Sequence, residues 1–180
     1  RLIAAQVNVV EKQQAAREII LRNLPRLRTG TLEPRRTMLF NLFINIVDLH
    51  EVVVSVHTDY PMLRREFADH DVLLFFRDMI RKIANEVDAI GYAIATNEPS
   101  RAQRSWRAEL RAIEYEIELM RKQSLPQRAP EAYQALTSTF RRVWSSTRVV
   151  ERMHRNTNLA TAGSATEVQI DQALVRFTSR

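Results

Sequence analysis

The chain has 180 residues, of which 45% are apolar and 27% charged, a balance typical of a globular protein that buries a core without disulfides or metals. It contains no cysteine, which excludes disulfide frameworks and cysteine-ligated zinc. The net charge of +6 is carried mainly by arginine and is compatible with nucleic acid, anionic lipid or an acidic protein as partner. With 3 glycines and 6 prolines there are few turn signals, so we expect long elements in a single domain over residues 1–180.

The N-terminus and the hydropathy pattern bear on a membrane location. The chain begins at Arg1 rather than Met and shows no signal-peptide pattern there, so we expect a fragment of a larger protein. The longest apolar run covers residues 38–56 and is interrupted by Asn41, Asn45, Asp48, His50 and Glu51. We expect this run not to cross a bilayer, and any membrane spans to lie outside the supplied residues.

The first two predicted helices lie on either side of Gly30. Apolar residues recur at helical spacing over 2–28, with Pro25 as a candidate end, and Pro34 stands where a first-turn proline is tolerated. The second helix has an apolar stripe whose members alternate three and four residues apart: Leu39, Leu42, Ile46, Leu49, Val53 and Val56. A polar line runs beside this stripe and suits either a neighbouring helix or solvent: Asn41, Asn45, Asp48 and Ser55.

Further helices are expected along the rest of the chain. A short helix over 62–68 precedes a long one with a stripe from Val72 to Ile94, in which Gly91 suggests a close helix contact. Pro99 is placed to open the next helix, whose seam runs from Trp106 to Met120. A loop over 125–130, a fifth major helix to about residue 155 and a short helix over 164–177 complete the chain. The sequence therefore predicts an all-α fold, an antiparallel bundle of about five long helices plus short ones.

The densest group of titratable residues raises the question of a metal site. Its members are Asp48, His50, Glu51, His57, Asp59, His70 and Asp71. His50 and His57 are seven residues apart and share one side of a helix, but this is not the HExxH spacing that places two histidines on one ion. We expect packing or capping roles and no metal site. A metal-dependent helical enzyme using His50, Glu51, His57 and His70 is the alternative.

Other signatures of catalysis and of ligand binding are missing from the sequence. There is no strand-turn-helix nucleophile elbow, and the glycines are isolated, so we expect no enzyme, no catalytic residues and no cofactor. Arginines cluster on the fourth and fifth major helices, at Arg101, Arg104, Arg107 and Arg111 and at Arg148, Arg152 and Arg155. Acidic residues lie among them, so we expect a solvated or lipid-facing surface and no specific nucleic acid.

Two stretches in the second and third helices resemble a known family. They contain Asp48, Leu49, His50, Glu51, Ser55, His57, Tyr60 and Pro61, and then Leu63, Phe67, Asp71, Val72, Leu73 and Arg77. These are similar to the D-I-H-E-R-x-x-S-S-H-x-x-Y and F-x-x-S-D-V-L-F-R-like stretches of the YccS/YhfK family of inner-membrane proteins, part of the wider fusaric-acid-resistance (FUSC) type. The similarity covers about residues 40–95, and Val52, Val56 and His70 depart from the family pattern.

Eight family-like residues follow from this resemblance, without an assigned role: Asp48, His50, Glu51, Ser55, His57, Tyr60, Asp71 and Arg77. The resemblance also implies that the chain lies between two bundles of membrane-spanning helices. An arginine-rich segment beside such helices belongs on the cytoplasmic side by the positive-inside rule. The implied partners are the transmembrane helices of the parent chain and further copies in a homo-oligomer, with contact to anionic lipid headgroups as an added expectation.

The function expected from these observations is that of a cytoplasmic helical domain of a FUSC-type inner-membrane transporter. Relatives of this type are linked to efflux of aromatic carboxylic acids, and the translocation path is expected in the membrane helices. The domain is therefore expected to act in assembly, coupling or gating. The alternative is a stand-alone soluble helical module, regulatory or binding, with a basic surface.

Overall fold

The computed structural model describes residues 2–28, 34–54, 59–102 and 105–158. Within these ranges there are seven helices and no strand: α1 (Leu2–Arg28), α2 (Pro34–Val54), α3 (Tyr60–Glu66), α4 (Val72–Thr96), α5 (Arg107–Lys122), α6 (Leu125–Arg128) and α7 (Pro130–Asn156). Five are long and two are short, which confirms the predicted all-α bundle. The helix predicted over 164–177 lies outside the described residues.

Helix α7 lies at the centre of the bundle. It contacts α2, α3, α4, α5 and α6, whereas α1 contacts α2. The stripes predicted for α4, α5 and α7 supply most of the core, as their period requires. Apolar side chains under 2% exposed in these three helices are Val72, Met79, Ile90, Ile113, Leu136, Val150 and Met153.

The side of α2 that faces the core differs from the side that its apolar stripe predicts. Leu42 is buried, but Leu39, Ile46 and Val53 are 42%, 38% and 60% exposed. Asn41 and Asn45, on the polar line, are only 2% and 5% exposed. The reason is that α7 presents hydrogen-bonding groups to α2, so the polar line faces α7 and part of the stripe faces outward. Val56 lies outside the described residues.

The hydropathy of α2 also differs from the expectation that it is too polar to cross a membrane. By length and composition it is the one helix in the described part of the chain that is long and apolar enough, with a mean hydropathy of 1.5 over its best window. Of that window, 39% is buried within the protein, and core helices of soluble proteins meet the same criteria. The polar residues of α2 lower its hydropathy less than expected.

Several element boundaries depart from the sequence interpretation. Helix α1 continues through Pro25, and the expected loop over 125–130 contains the short helix α6. Ser124 precedes α6 in a left-handed conformation (φ 64°), and its carbonyl accepts hydrogen bonds from two amides of α6. Pro99 does not open a helix, since residues 98–102 are not helical. Ser100 in this segment is hydrogen-bonded to Thr157 at the end of α7. A Cβ at Gly91 would meet nothing within 4 Å, so the proposed close helix contact there is wrong.

Candidate functional site

Asp48, a family-like residue of α2, contacts α7 through its side chain. Its Oδ2 accepts a hydrogen bond of 3.3 Å from Arg152 of α7, whose Nε donates to Asn45 Oδ1 at 3.4 Å. The Asn45 side-chain Nδ2 in turn donates to the backbone carbonyl of Asn41 at 2.8 Å. One arginine therefore joins two turns of α2 to the C-terminal part of α7.

The other family-like residues lie on or near α2, α3 and α4. His50 is half-buried and Glu51 exposed on α2, while Tyr60 begins α3 and is 58% exposed. Asp71 is the residue before α4, where its carbonyl accepts from the amide of Phe75 at 3.0 Å. Arg77 pairs with its neighbour Asp78 at 3.0 Å, and Ser55 and His57 lie outside the described residues.

These contacts are those of helix packing and helix ends. Asp59, beside the family-like Tyr60, caps α3 by accepting from the amide of Met62 at 2.9 Å. In the ranges that the structure describes, no group of three or more histidine and acidic side chains could hold a metal ion. Among the described family-like residues, Asp48 thus joins two helices and Asp71 lies at the start of one.

A buried polar pair links α4 and α7. Glu86 and His154 are 5% and 4% exposed, and Glu86 Oε2 lies 3.0 Å from His154 Nε2. This is an ion-pair distance, although the two groups are not aligned as a hydrogen bond. Two polar side chains inside an apolar interface are costly to bury, and their electrostatic attraction offsets part of that cost while it links α4 to α7.

The other side of the His154 ring contacts the segment before α5. Its Nδ1 lies 2.8 Å from Ser100 Oγ, and the Ser100 amide donates to Thr157 Oγ1 at 2.7 Å. Thr157 Oγ1 in turn donates to the His154 carbonyl at 2.7 Å. One serine is therefore tied twice to the end of α7, which explains why Pro99 does not begin a helix.

The electrostatics of the cluster favour a neutral histidine. Burial lowers the pKa of His154 below its ordinary value, and the Glu86 carboxylate opposes part of that shift. A neutral ring carrying its proton on Nε2 would face that proton toward Glu86 and leave Nδ1 to accept from the Ser100 hydroxyl. The neutral imidazole then presents Nε2 to Glu86 and Nδ1 to Ser100.

Two clefts adjoin this cluster. The larger, of about 410 Å³, is lined by residues 99–102 and by the last turns of α7, including His154. The smaller, of about 340 Å³, is lined by Met38 of α2 and the end of α4. Pro99 and Asn158 line both clefts, so they meet at the segment that Ser100 holds in place. Their volumes lie at the lower end of the range for small-molecule pockets.

Sequence reasoning missed this cluster, although a signal was present. Glu86 falls three residues after Ile83 and four before Ile90, on the stripe of α4. His154 falls four residues after Val150, at the corresponding position on α7. Charged or titratable residues on core stripes are rarely buried alone, so each of them predicts a polar partner.

An ion pair between Lys82 and Glu109 joins α4 to α5. Lys82 Nζ donates to Glu109 and, at 3.0 Å, to the carbonyl of Ser105. The ammonium lies 5.7 Å from the ring centre of the buried Trp106. The lysine thus stabilises the entry into α5 by hydrogen bonds and by a cation–π contact.

The arginine clusters of the described residues face several environments. Arg107 and Arg111 are exposed on α5, and the Arg148 guanidinium lies 4.7 Å from the ring centre of Trp144. Arg152 is engaged with α2, as described above. Arg104 lies outside the described residues. The expectation of a solvated or lipid-facing basic surface stays a prediction.

Comparison with known proteins gives one match. The family described as FUSC-like inner membrane protein yccS matches residues 1–154, which include α1 to α6 and all but the last two residues of α7. Comparisons with curated proteins and with solved structures gave no match. The matched range contains both stretches that carried the resemblance and is most of the chain. The chain therefore belongs to the FUSC-like family of inner-membrane, transporter-related proteins.

Proposed function

We propose that this chain is a cytoplasmic helical domain of a FUSC-type inner-membrane transporter, where it acts in assembly, coupling or gating. The observation that carries the proposal is the family match over residues 1–154. That family is one of inner-membrane proteins, and the described helices form a bundle with an internal core. A domain with its own core beside a membrane protein is suited to joining or orienting other parts of it.

The charge supports the cytoplasmic side. The chain has 27 basic and 21 acidic residues, and all but three of the basic ones are arginine. Segments close to membrane helices keep such an excess in the cytoplasm, although long domains follow this rule less strictly. Homo-oligomerisation and contact with the transmembrane helices of the parent chain belong to the same proposal.

The test has two steps on the full-length parent protein expressed in bacteria. The first is an alkaline wash of the membranes, after which we expect the protein to stay in the pellet. Recovery in the soluble fraction would favour the alternative, a stand-alone helical module with a basic surface.

The second step measures sidedness and uses the absence of cysteine in this chain. Tyr115→Cys, at a side chain 67% exposed on α5, is introduced into a cysteine-free parent. A membrane-impermeant maleimide should label it only after the inner membrane is permeabilised. Labelling in intact spheroplasts would place the domain outside the cytoplasm and refute that part of the proposal. Ile113→Cys, buried on the same helix, is the control for labelling of unfolded protein.

A further inference from the structure

The outward side of α2 is apolar along most of the helix. Leu39, Ile46 and Val53 follow one another at intervals of seven residues and lie on nearly one line along the helix. They are 42%, 38% and 60% exposed, and Val54 beside them is 45% exposed. We call these four residues the outer face of α2. Half-buried His50 lies on the same line between Ile46 and Val53, and exposed Glu51 lies one turn before Val54.

The opposite side of α2 is held by protein. Asn45 and Asp48 receive hydrogen bonds from Arg152 of α7, and Asn41 is buried at the same interface. A helix with charged and amide groups fixed on one side cannot be surrounded by lipid. Its span-like hydropathy therefore reflects apolar residues on the outward side as well as in the core.

Positive charge stands at one end of the outer face. Arg35 and Arg36 are both exposed in the first turn of α2, one turn before Leu39. Lipid phosphates attract such residues, each contributing about 1 kcal/mol near an anionic surface. An exposed apolar line with arginines at one end offers the two contributions on which interfacial binding depends, buried apolar area and attraction to anionic lipid.

The outer face is small for a protein partner. A stable protein interface takes about 800 Å² and 20–30 residues from each partner, far more than four side chains along one line. A bilayer needs no matching surface, and the family to which the chain belongs is one of inner-membrane proteins. We propose that the outer face of α2, with Arg35 and Arg36, binds the surface of an anionic membrane, so that α2 lies parallel to the bilayer.

This proposal goes beyond the proposed function and does not depend on transport or on a gating role. Its test uses the purified chain and vesicles, so it can fail while the fractionation and labelling results stand. The probe is Val53→Cys carrying an environment-sensitive fluorophore, introduced into the cysteine-free chain. Vesicles of phosphatidylcholine and phosphatidylglycerol in equal amounts should shift its emission to the blue, and phosphatidylcholine vesicles should do so much less. Ile80→Cys, 53% exposed on α4, should show no shift.

Two sets of substitutions separate the apolar and the charged contributions in co-sedimentation with the same vesicles. Leu39→Gln/Ile46→Gln/Val53→Gln should weaken binding about tenfold or more, because it removes the apolar contact. Arg35→Gln/Arg36→Gln should weaken binding to the anionic vesicles by about thirtyfold. The matched control Leu74→Gln/Ile80→Gln removes exposed apolar residues of α4 and should bind like wild type.

Three results would overturn the proposal. The first is an absence of binding to anionic vesicles by the wild-type chain. The second is binding that the Leu39, Ile46 and Val53 substitutions leave unchanged while circular dichroism shows an intact fold. The third is loss of self-association in that variant, measured by sedimentation, without loss of vesicle binding, which would assign the outer face to a second copy of the chain.

Discussion

His154 is a titratable residue on the core stripe of α7, and it connects three parts of the molecule. It contacts Glu86 of α4 through Nε2 and Ser100 through Nδ1, while its carbonyl accepts a hydrogen bond from Thr157 Oγ1 at the end of α7. Burial lowers its pKa, since a charged imidazole loses hydration there. The charged groups around it, Glu86 and Glu151, only partly compensate for this loss. The folded protein therefore favours the neutral ring more than the unfolded chain does.

This shift makes stability depend on pH. An unperturbed histidine has a pKa of about 6.5, so below that pH the unfolded chain takes up a proton that the folded chain binds less readily. The free energy of unfolding should therefore be larger above pH 6.5 and fall as the pH is lowered through it. We expect urea unfolding at pH 5.5 and 7.5 to show a smaller pH effect in His154→Gln, which removes the titration and keeps an amide that can donate.

The control is His70→Gln, at an exposed residue before α4, which should keep the pH effect of the wild type. Equal pH effects in wild type and His154→Gln would contradict the assignment. The other carboxylates are shared by the three proteins, whereas Glu86, in contact with residue 154, is part of the pair under test.

At the scale of elements, the position of α2 depends on its polar line. Arg152 bridges from α7 to Asp48 and Asn45, and the Arg152 and Asp48 side chains are 44% and 24% exposed. A double-mutant cycle with Asp48→Asn and Arg152→Gln measures the coupling directly. We expect about 0.5–1 kcal/mol, the range for partly exposed pairs.

The neighbouring pair Arg77 and Asp78 gives a matched control. Its side chains are 54% and 61% exposed and both lie on α4, so the pair joins no two elements. Arg77→Gln and Asp78→Asn should show coupling near zero. If the Asp48–Arg152 cycle gives no more than this, the family-like Asp48 does not fix α2 against α7.

The sequence predicted the helices well because their apolar periods are long and regular. The stripes of α4, α5 and α7 each have one apolar side, so the period alone identifies the buried side. On α2 the stripe and the polar line both lie beside apolar residues, and the period could not show that Arg152 would draw the polar line inward. The prediction that Pro99 opens a helix failed for a similar reason, because the hydrogen-bond partners of Ser100 lie more than 50 residues away along the chain.

The contact between Glu86 and His154 could not be predicted from the sequence alone. The positions of Glu86 and His154 on core stripes indicate that each needs a partner, but spacing along the chain cannot pair residues on different helices. The family-like residues were found because they form a short local pattern. Such a pattern identifies a family and leaves the role of each residue open.

At the scale of the whole molecule, α7 determines whether the helices act as one unit. It contacts α2, α3, α4, α5 and α6, so a cavity in its core side should weaken several interfaces together. Leu136 is 0% exposed in the N-terminal part of α7. We expect Leu136→Ala to lower the free energy of unfolding by about 2–5 kcal/mol, through lost burial and the cavity left behind.

The same substitution at Leu119 of α5, which is 38% exposed, supplies the control, and about 0.5 kcal/mol or less is expected there. Urea unfolding followed by circular dichroism and by tryptophan fluorescence, to which buried Trp106 and exposed Trp144 both contribute, should give one coincident transition in both variants. Two separate transitions would mean that the chain is not the single domain expected from its length. A loss at Leu136 no larger than at Leu119 would show that α7 does not hold the bundle together. One transition with the large loss at Leu136 alone would establish α7 as the helix through which the bundle is stabilised.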